Sequence, residues 1–303
     1  MDLRQLSALV AVADNRSFSA AARALHTVQS NISTHIARLE RELGVTLVDR
    51  ATGKLTEEGR AVVDRARRVQ LELEALVSDV AAVNSEITGV VRIGVIGTTA
   101  RWLVPRLLEA MADLYPRVQV VVVDATTTSL LPQVHSGRLD LAVLALPVHD
   151  PDVEAQPLFR EDLIVVAPPD HPLAGRERVT VADLAEHELL LEPRGTAFRD
   201  DLETQAAAAG VELHTKAEVD GMRLLATLAF EGFGAAVLPA SASPRWSGIK
   251  AKVIGVDGLT GRNVGLVRRR RGLPSAPARA LAEVIIDVIA EAAGKQPGIH
   301  RVT

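Results

Sequence analysis

The sequence predicts an α/β protein in three parts: a helical N-terminal unit, one long helix, and a larger domain of alternating strands and helices. Three observations carry this. Two short helical patterns flank a tight turn within residues 17 to 40, an apolar heptad runs from Val62 to Val83, and from Val90 onward short β-branched runs alternate with helical stretches. At 303 residues with 48% hydrophobic content, the chain can bury more than one core, so two or three domains are expected.

The first helix is expected over residues 2 to 14, with Leu3, Leu6, Leu9, Val10 and Val12 at helical spacing. Ser17 N-caps a second, which carries Phe18, Ala21, Ala22 and Leu25; its small alanines let another helix cross closely. His26 and Thr27 make the turn into a third. There Val28, Ile32, Ile36 and Leu39 fall on one side, and Gln29, Ser30, Ser33, Thr34 and Arg38 on the other. This is a helix-turn-helix. Its polar front suits the DNA major groove, where Gln bonds an adenine edge and Ser or Thr approaches either kind of base pair. The bland alternative is an amphipathic helix pair with a solvated face. Gly44 ends the third helix, and two short extended pieces around Thr52-Gly53-Lys54 fit a β-wing.

Taken together this is a winged helix-turn-helix, and it resembles the N-terminal domain of LysR-type transcriptional regulators. The resemblance is carried by Asp2-Leu3-Arg4-Gln5-Leu6, Ser17-Phe18 through Arg38-Leu39-Glu40, Leu43-Gly44, Asp49-Arg50 and Leu55-Thr56. The chain departs from the family's pattern in three places. Val28 stands where a small hydroxyl residue usually caps the recognition helix, leaving Thr27 as the candidate cap; Thr34 replaces a common arginine; and the wing between Arg50 and Leu55 is about two residues short. Base contacts are therefore expected from Gln29, Ser30 and Ser33, with Thr34 and Arg38 near the DNA backbone and Lys54 reaching a phosphate. His35 projects toward the flank of the apolar side, where packing or capping competes with DNA contact.

The net charge of −4 divides unevenly. Residues 1 to 68 hold eleven Lys and Arg against eight Asp and Glu, a surplus of three that leaves −7 for the remainder. So small a surplus predicts weak nonspecific affinity per subunit, and useful DNA binding would need two or more copies. No apolar run approaches the length of a membrane span and no signal peptide precedes the first helix, so a cytoplasmic, non-membrane protein is expected. Zero cysteines exclude disulfides and thiol redox sensing.

After Gly59, Val62, Ala66, Val69, Leu73, Leu76, Val80 and Val83 recur with alternating steps of four and three. That is an a/d seam, or else the buried face of a lone surface helix. The helix is expected to end at a polar break of Asn84, Ser85, Thr88 and Gly89. The resemblance implies a linker helix that joins two subunits through Val62, Val69, Leu73, Leu76 and Val80, giving a homodimer or homotetramer on a split, dyad-symmetric operator.

Strands are expected at Val90 to Val95, Val118 to Asp124, Leu139 to Ala145, Leu163 to Ala167, Leu189 to Leu191 and Ala235 to Leu238. Helices fall between them, at about 105 to 115, 128 to 136, 181 to 186, 197 to 209 and 221 to 231, with a last one at 276 to 292. The arrangement resembles the family's effector-binding domain, two α/β lobes joined by two crossing strands as in type 2 periplasmic binding proteins. The expected parts are a DNA-binding domain at 1–58, a linker helix at 59–88 and an effector domain at 89–303. Lobe I would take 89–164 and 268–303 and lobe II 168–264, with crossings near Val165-Val166-Ala167 and Gly265-Leu266-Val267. A small ligand would sit between the lobes. Thr98, Thr99 and Arg101 open a helix after the first strand, Thr127 opens another, and Arg194 and Thr196 do the same in lobe II. Each is either an anion-binding helix start or merely a cap. The family's use of Ser or Thr at the first of these implies an effector that is a small molecule, with a carboxylate as the leading candidate.

Other constellations are weaker. Arg268 to Arg271 reads as a solvated strand exit, and Glu161-Asp162 and Asp200-Asp201 as solubilising charge. The eight histidines lack metal-ligand spacing, and there is no dinucleotide fingerprint or nucleophile elbow, so no metal, cofactor or enzymatic activity is expected. The resemblance implies a sequence-specific regulator that binds double-stranded DNA and answers to an effector, with RNA polymerase a further candidate partner. The alternative is an effector-independent architectural DNA binder.

Overall fold

The computed structural model describes residues 1–50, 52–83, 86–243 and 251–302. The N-terminal unit consists of α1 (Leu3–Asn15), α2 (Phe18–Ala24) and α3 (Gln29–Leu43), followed by a wing. Asp2 and Gln5 close a capping box on α1, and Ser17 Oγ accepts the Ala20 amide at the start of α2, as its place in the sequence predicts. Leu9, Val12, Ala21, Ile32, Ile36, Leu39, Leu47 and Val48 form one buried core. Gly44, at φ +70°, ends α3 in the left-handed conformation that favours glycine. The wing is held by an antiparallel bridge, Val48 to Leu55, with the Asp49 amide donating to the Lys54 carbonyl and Thr52 Oγ1 donating to Asp49, both at 2.9 Å.

Val28 departs from the expected apolar side. It occupies the N-cap of α3 with extended backbone, so its side chain lies outside the helical phase and is exposed. Thr27 does not cap the helix: its Oγ1 accepts from the Asn31 side chain at 2.9 Å, and no side chain bonds the first amides. The Asn31 amide donates instead to the Val28 carbonyl at 3.0 Å. Leu25, at the C-cap of α2, is also exposed.

The long helix α4 (Glu57–Val83) begins at Thr56, whose Oγ1 accepts the Gly59 amide at 2.9 Å. The polar break at Asn84 and Ser85 lies outside the described residues. The apolar seam divides into two stretches. Val62 and Ala66 pack into the winged-helix core of their own chain, while Val69, Leu73, Leu76 and Val80 stand exposed. Another face of α4 docks on the α/β domain: Ala75 and Ser78 are buried, Asp79 accepts from the Ala276 amide at 3.0 Å, and Arg68 donates to the His135 carbonyl at 3.2 Å.

Among the described residues, the α/β domain holds two six-stranded mixed sheets. The first has the order β12-β4-β11-β3-β1-β2, from β1 (Gly89–Ile96), β2 (Val118–Ala125), β3 (Leu141–Leu146), β4 (Val153–Glu161), β11 (Arg262–Arg269) and β12 (Ile299–Arg301). The second, β6-β10-β5-β9-β7-β8, comprises β5 (Leu163–Ala167), β6 (Arg178–Thr180), β7 (Glu188–Leu191), β8 (His214–Glu218), β9 (Ala235–Pro239) and β10 (Lys252–Asp257). Helices α5 (Gly97–Leu114), α6 (Thr127–Ser136) and α10 (Ala276–Ala292) accompany the first sheet; α7 (Val181–Ala185), α8 (Ala197–Ala208) and α9 (Met222–Phe230) accompany the second. Each sheet has its own buried apolar core.

The chain changes sheets between β4 and β5 and again between β10 and β11, earlier than the expected crossings. Val165 to Ala167 therefore lie wholly in the second sheet and Gly265 to Val267 wholly in the first. The two passages touch at Gly261, where a Cβ would come within 2.1 Å of the Glu161 carbonyl oxygen. Only glycine fits that approach.

Candidate functional site

Two sites stand out, the outer face of α3 and the junction of the two lobes. On α3, Gln29, Ser30, Thr34 and Arg38 are exposed and Ser33 is half-buried, all on the side opposite Ile32, Ile36 and Leu39. Ser19 Oγ donates to Gln29 Oε1 at 2.7 Å. That bond orients the amide and leaves a carbonyl lone pair and both N–H groups for a base edge. Thr34 Oγ1 donates to the Ser30 carbonyl at 2.8 Å, which occupies its proton within the helix. Lys54 stands exposed on the wing. Arg50 is held by Glu40 at 3.2 Å and lies 6.0 Å from the Phe18 ring centroid, bracing the wing against α2 and α3. Glu40 also accepts the Leu47 and Val48 amides. His35 is half-buried, with Nδ1 buried and without a partner among the described residues, which takes it off the exposed face.

At the lobe junction, Thr98 and Thr99 lie in the first turn of α5, 3% and 0% exposed. Neither caps the helix, because the N-cap is Ile96 and no side chain bonds the first amides. Arg262, at the start of β11, donates from Nη2 to Thr98 Oγ1 at 2.8 Å and from Nε to Glu161 Oε1 at 2.6 Å. Glu161 is fully buried, and its other oxygen accepts the Ser241 amide at 3.0 Å. Thr99 Oγ1 and Ser241 Oγ are buried with no hydrogen-bond partner among the described residues. Arg101 donates to the Ala242 carbonyl at 3.2 Å, and burial lowers its pKa, with Arg223 adding to the effect. Burial raises the carboxyl pKa of Glu192 at the end of β7; the charge of Arg262 and a 3.5 Å contact from Thr196 oppose the shift. Arg223 crosses from α9 to Asp124 of β2 at 2.7 Å. The result is a polar junction with two idle hydroxyls beside a buried carboxylate bonded at both oxygens.

The other expected effector residues point elsewhere. Arg194 is exposed and turned to Glu203 at 3.3 Å and Glu212 at 3.9 Å, acids of its own lobe. Thr196 caps α8, accepting the Arg199 amide at 3.4 Å. Thr127 Oγ1 accepts the Ala145 amide at 3.3 Å, tying α6 to β3. Sequence reasoning missed Arg262 and took Glu161 for solubilising charge, because the contacts that bury Glu161 come from residues 80 and 101 positions away. The run Arg268 to Arg271 is a solvated strand exit only at its end, where Arg271 is exposed; the three arginines before it are engaged. Arg268 pairs with Glu154, Arg269 donates to the Val134 and Leu139 carbonyls, and Arg270 donates to those of Pro151 and Val153. Among the described residues, one group with metal-ligand chemistry comes together, His135, Asp150 and Asp152, and no described helix is long and apolar enough to cross a membrane.

Comparison with known proteins follows the same division of the chain. The family described as "Bacterial regulatory helix-turn-helix protein, lysR family" matches residues 3–60, and the "LysR substrate binding domain" matches residues 84–290. A "Probable hydrogen peroxide-inducible genes activator" of Streptomyces viridosporus is 40% identical, covering 79% of this chain and 78% of that protein. The DNA-binding transcriptional dual regulator OxyR of Escherichia coli is 33% identical over 95% of each chain. Among solved structures, a full-length OxyR variant of Pseudomonas aeruginosa superimposes with a TM-score of 0.76 at 26% identity, over 95% of this chain and 94% of that one. CbnR bound to its target DNA superimposes with a TM-score of 0.68 at 25% identity, over 97% and 100%.

Proposed function

The chain belongs to the LysR family of DNA-binding transcriptional regulators, and from that premise we propose how its parts divide the work. Residues 1–58 read operator DNA. Gln29, Ser30 and Ser33 contact base edges, Thr34 and Arg38 lie along the backbone, and Lys54 meets a phosphate. The observation that supports this most is the exposed polar face of α3 backed by a core of Ile32, Ile36 and Leu39. Val69, Leu73, Leu76 and Val80 form the seam to a second copy, since four exposed aliphatic side chains in heptad register along one helix favour burial against their like.

The effector is a small polar molecule taken up at the lobe junction by Thr98, Thr99, Arg101 and Arg262. The relatives are named for induction by hydrogen peroxide. A thiol route is closed to this chain, which has no cysteine. Reversible binding then shifts the balance between conformations of the regulator on its operator, and the location is cytoplasmic. RNA polymerase is the partner through which activation would act.

The test selects operators from a random duplex library with the full chain. It should enrich a dyad-symmetric sequence, and Leu73→Asp, which places a desolvated charge in the seam, should sediment as a monomer and lose that enrichment. Absence of sequence enrichment by the parent would refute the regulatory reading, and a parental oligomer for Leu73→Asp would refute the seam.

A further inference from the structure

Between the linker helix and the first sheet lies a cavity of about 250 Å³ lined by Arg65, Arg68, Glu72, His135, Asp152, Arg269, Arg271 and Gly272. Four segments of the chain meet there: α4, the end of α6, the residues before β4, and the exit of β11. Four guanidinium groups and two carboxylates line it, an excess of two positive charges among its Arg, Asp and Glu side chains. The cations are poorly compensated. Arg65 and Arg271 are exposed and pair with no carboxylate among the described residues. Arg68 spends one N–H on the His135 carbonyl at 3.2 Å, and its Nε is buried without a partner. Arg269 donates to the Val134 and Leu139 carbonyls, at 3.4 and 3.5 Å, and forms no ion pair among the described residues. Burial lowers its pKa, and the neighbouring charge of Arg68 adds to the effect against the pull of Asp140 and Glu72. Of the carboxylates, Asp152 is 3.9 Å from His135, which also faces Asp150 at 3.5 Å.

Guanidinium groups converging on a hollow without matching acids are the arrangement that binds oxyanions, because each presents a planar fork to two oxygens. The acids around His135 would suit a divalent cation in isolation, but four adjacent guanidinium charges oppose one. We propose that this cavity is a second ligand site, separate from the lobe junction, for a small anion with at least two negative charges on phosphoryl or carboxylate oxygens. Such an anion joins Arg65 and Arg68 of the linker helix to Arg269 and Arg271 of the effector domain. The turn that carries Arg65 and Arg68 also carries Arg67, which pairs with Asp14 of the winged unit. Occupancy therefore fixes the docking of α4 on the α/β domain, and with it the angle at which the DNA-binding unit is held.

The experiment follows thermal unfolding and isothermal titration of the full chain with pyrophosphate, with citrate, and with chloride at matched ionic strength. At least one of the first two should bind saturably and raise the melting temperature where chloride does not, and which of them binds assigns phosphoryl or carboxylate chemistry. The doubly substituted Arg65→Ala, Arg271→Ala chain loses no hydrogen bond or ion pair seen among the described residues and should fold as the parent, yet bind the anion about tenfold or more weakly, the loss of charge-assisted contacts at two forks. Thr98→Val should bind it as the parent does, which separates this site from the lobe junction. The proposal is overturned if neither anion outperforms chloride, if the double variant binds as tightly as the parent, or if its defect is confined to binding of random DNA.

Discussion

On α3, Gln29, Ser30 and Thr34 stand in the open with hydrogen-bonding capacity to spare, whereas at the lobe junction Thr98, Thr99, Ser241 and Glu161 are each no more than 3% exposed. Both regions are rich in hydroxyl side chains, yet their environments reverse what those groups can do. A preformed, solvated face meets a groove by exchanging water for base edges, at little cost in reorganisation. A buried junction is already committed: Arg262 is shared between Glu161 and Thr98, so a ligand must take over contacts the protein now makes to itself. The two idle hydroxyls, Thr99 and Ser241, are the natural first points of exchange. On the proposed reading, recognition on α3 depends on exposure, and response at the junction depends on a trade between internal and external hydrogen bonds.

The comparison breaks most visibly at Glu161. Glu161→Ala leaves the Arg262 guanidinium without its buried partner and should cost roughly 3–5 kcal/mol in denaturant unfolding. A loss below about 1 kcal/mol would mean the pair is effectively solvated and the junction not committed. Thr98→Val, which keeps the volume and removes an acceptor from Arg262, should cost about 1 kcal/mol and blunt the effector response while basal operator binding stays parental. Parental response would free Thr98 of any ligand role.

A pH titration sharpens the same contrast. The Glu192 carboxyl is raised above the ordinary 4.5 by burial, so its contribution to stability is complete below that value and is lost as pH rises through the folded value. Glu192→Gln should remove this fall, leaving the variant relatively more stable at neutral pH than at pH 4. Parallel stability curves for parent and variant would show that Glu192 is no more buried than in the unfolded chain. On the exposed side, Lys54→Ala should weaken specific and random DNA alike and lower the salt slope by about one, the smallest of these effects.

How legible each region was in the sequence follows the same line. The helices of the winged unit, the linker and the last helix at Ala276–Ala292 announce themselves through apolar spacing within one element. Strand β4 does not, because Val153–Glu161 mixes charges with Pro157, which sits where the pairing with β11 slips by a residue. Strand β8, fully exposed at the sheet edge, carries no apolar alternation at all. The exposed polar face of α3 was legible because its residues lie within ten positions of one another. The junction was not, since Thr98 and Arg262 are 164 residues apart and only the crossing strands bring them together. Arg194 drew attention by standing at a helix start, a local signal that says nothing of Glu203 and Glu212 waiting on the same lobe.

The claim that the exposed face of α3 reads sequence is tested most directly by comparing Gln29→Ala with the parent on the selected operator and on random duplex at one salt concentration. The variant should lose roughly 1–3 kcal/mol on the operator and almost nothing on random DNA. Equal losses on both would show that Gln29 contacts only the backbone, and no loss on either would place sequence reading elsewhere than on this face.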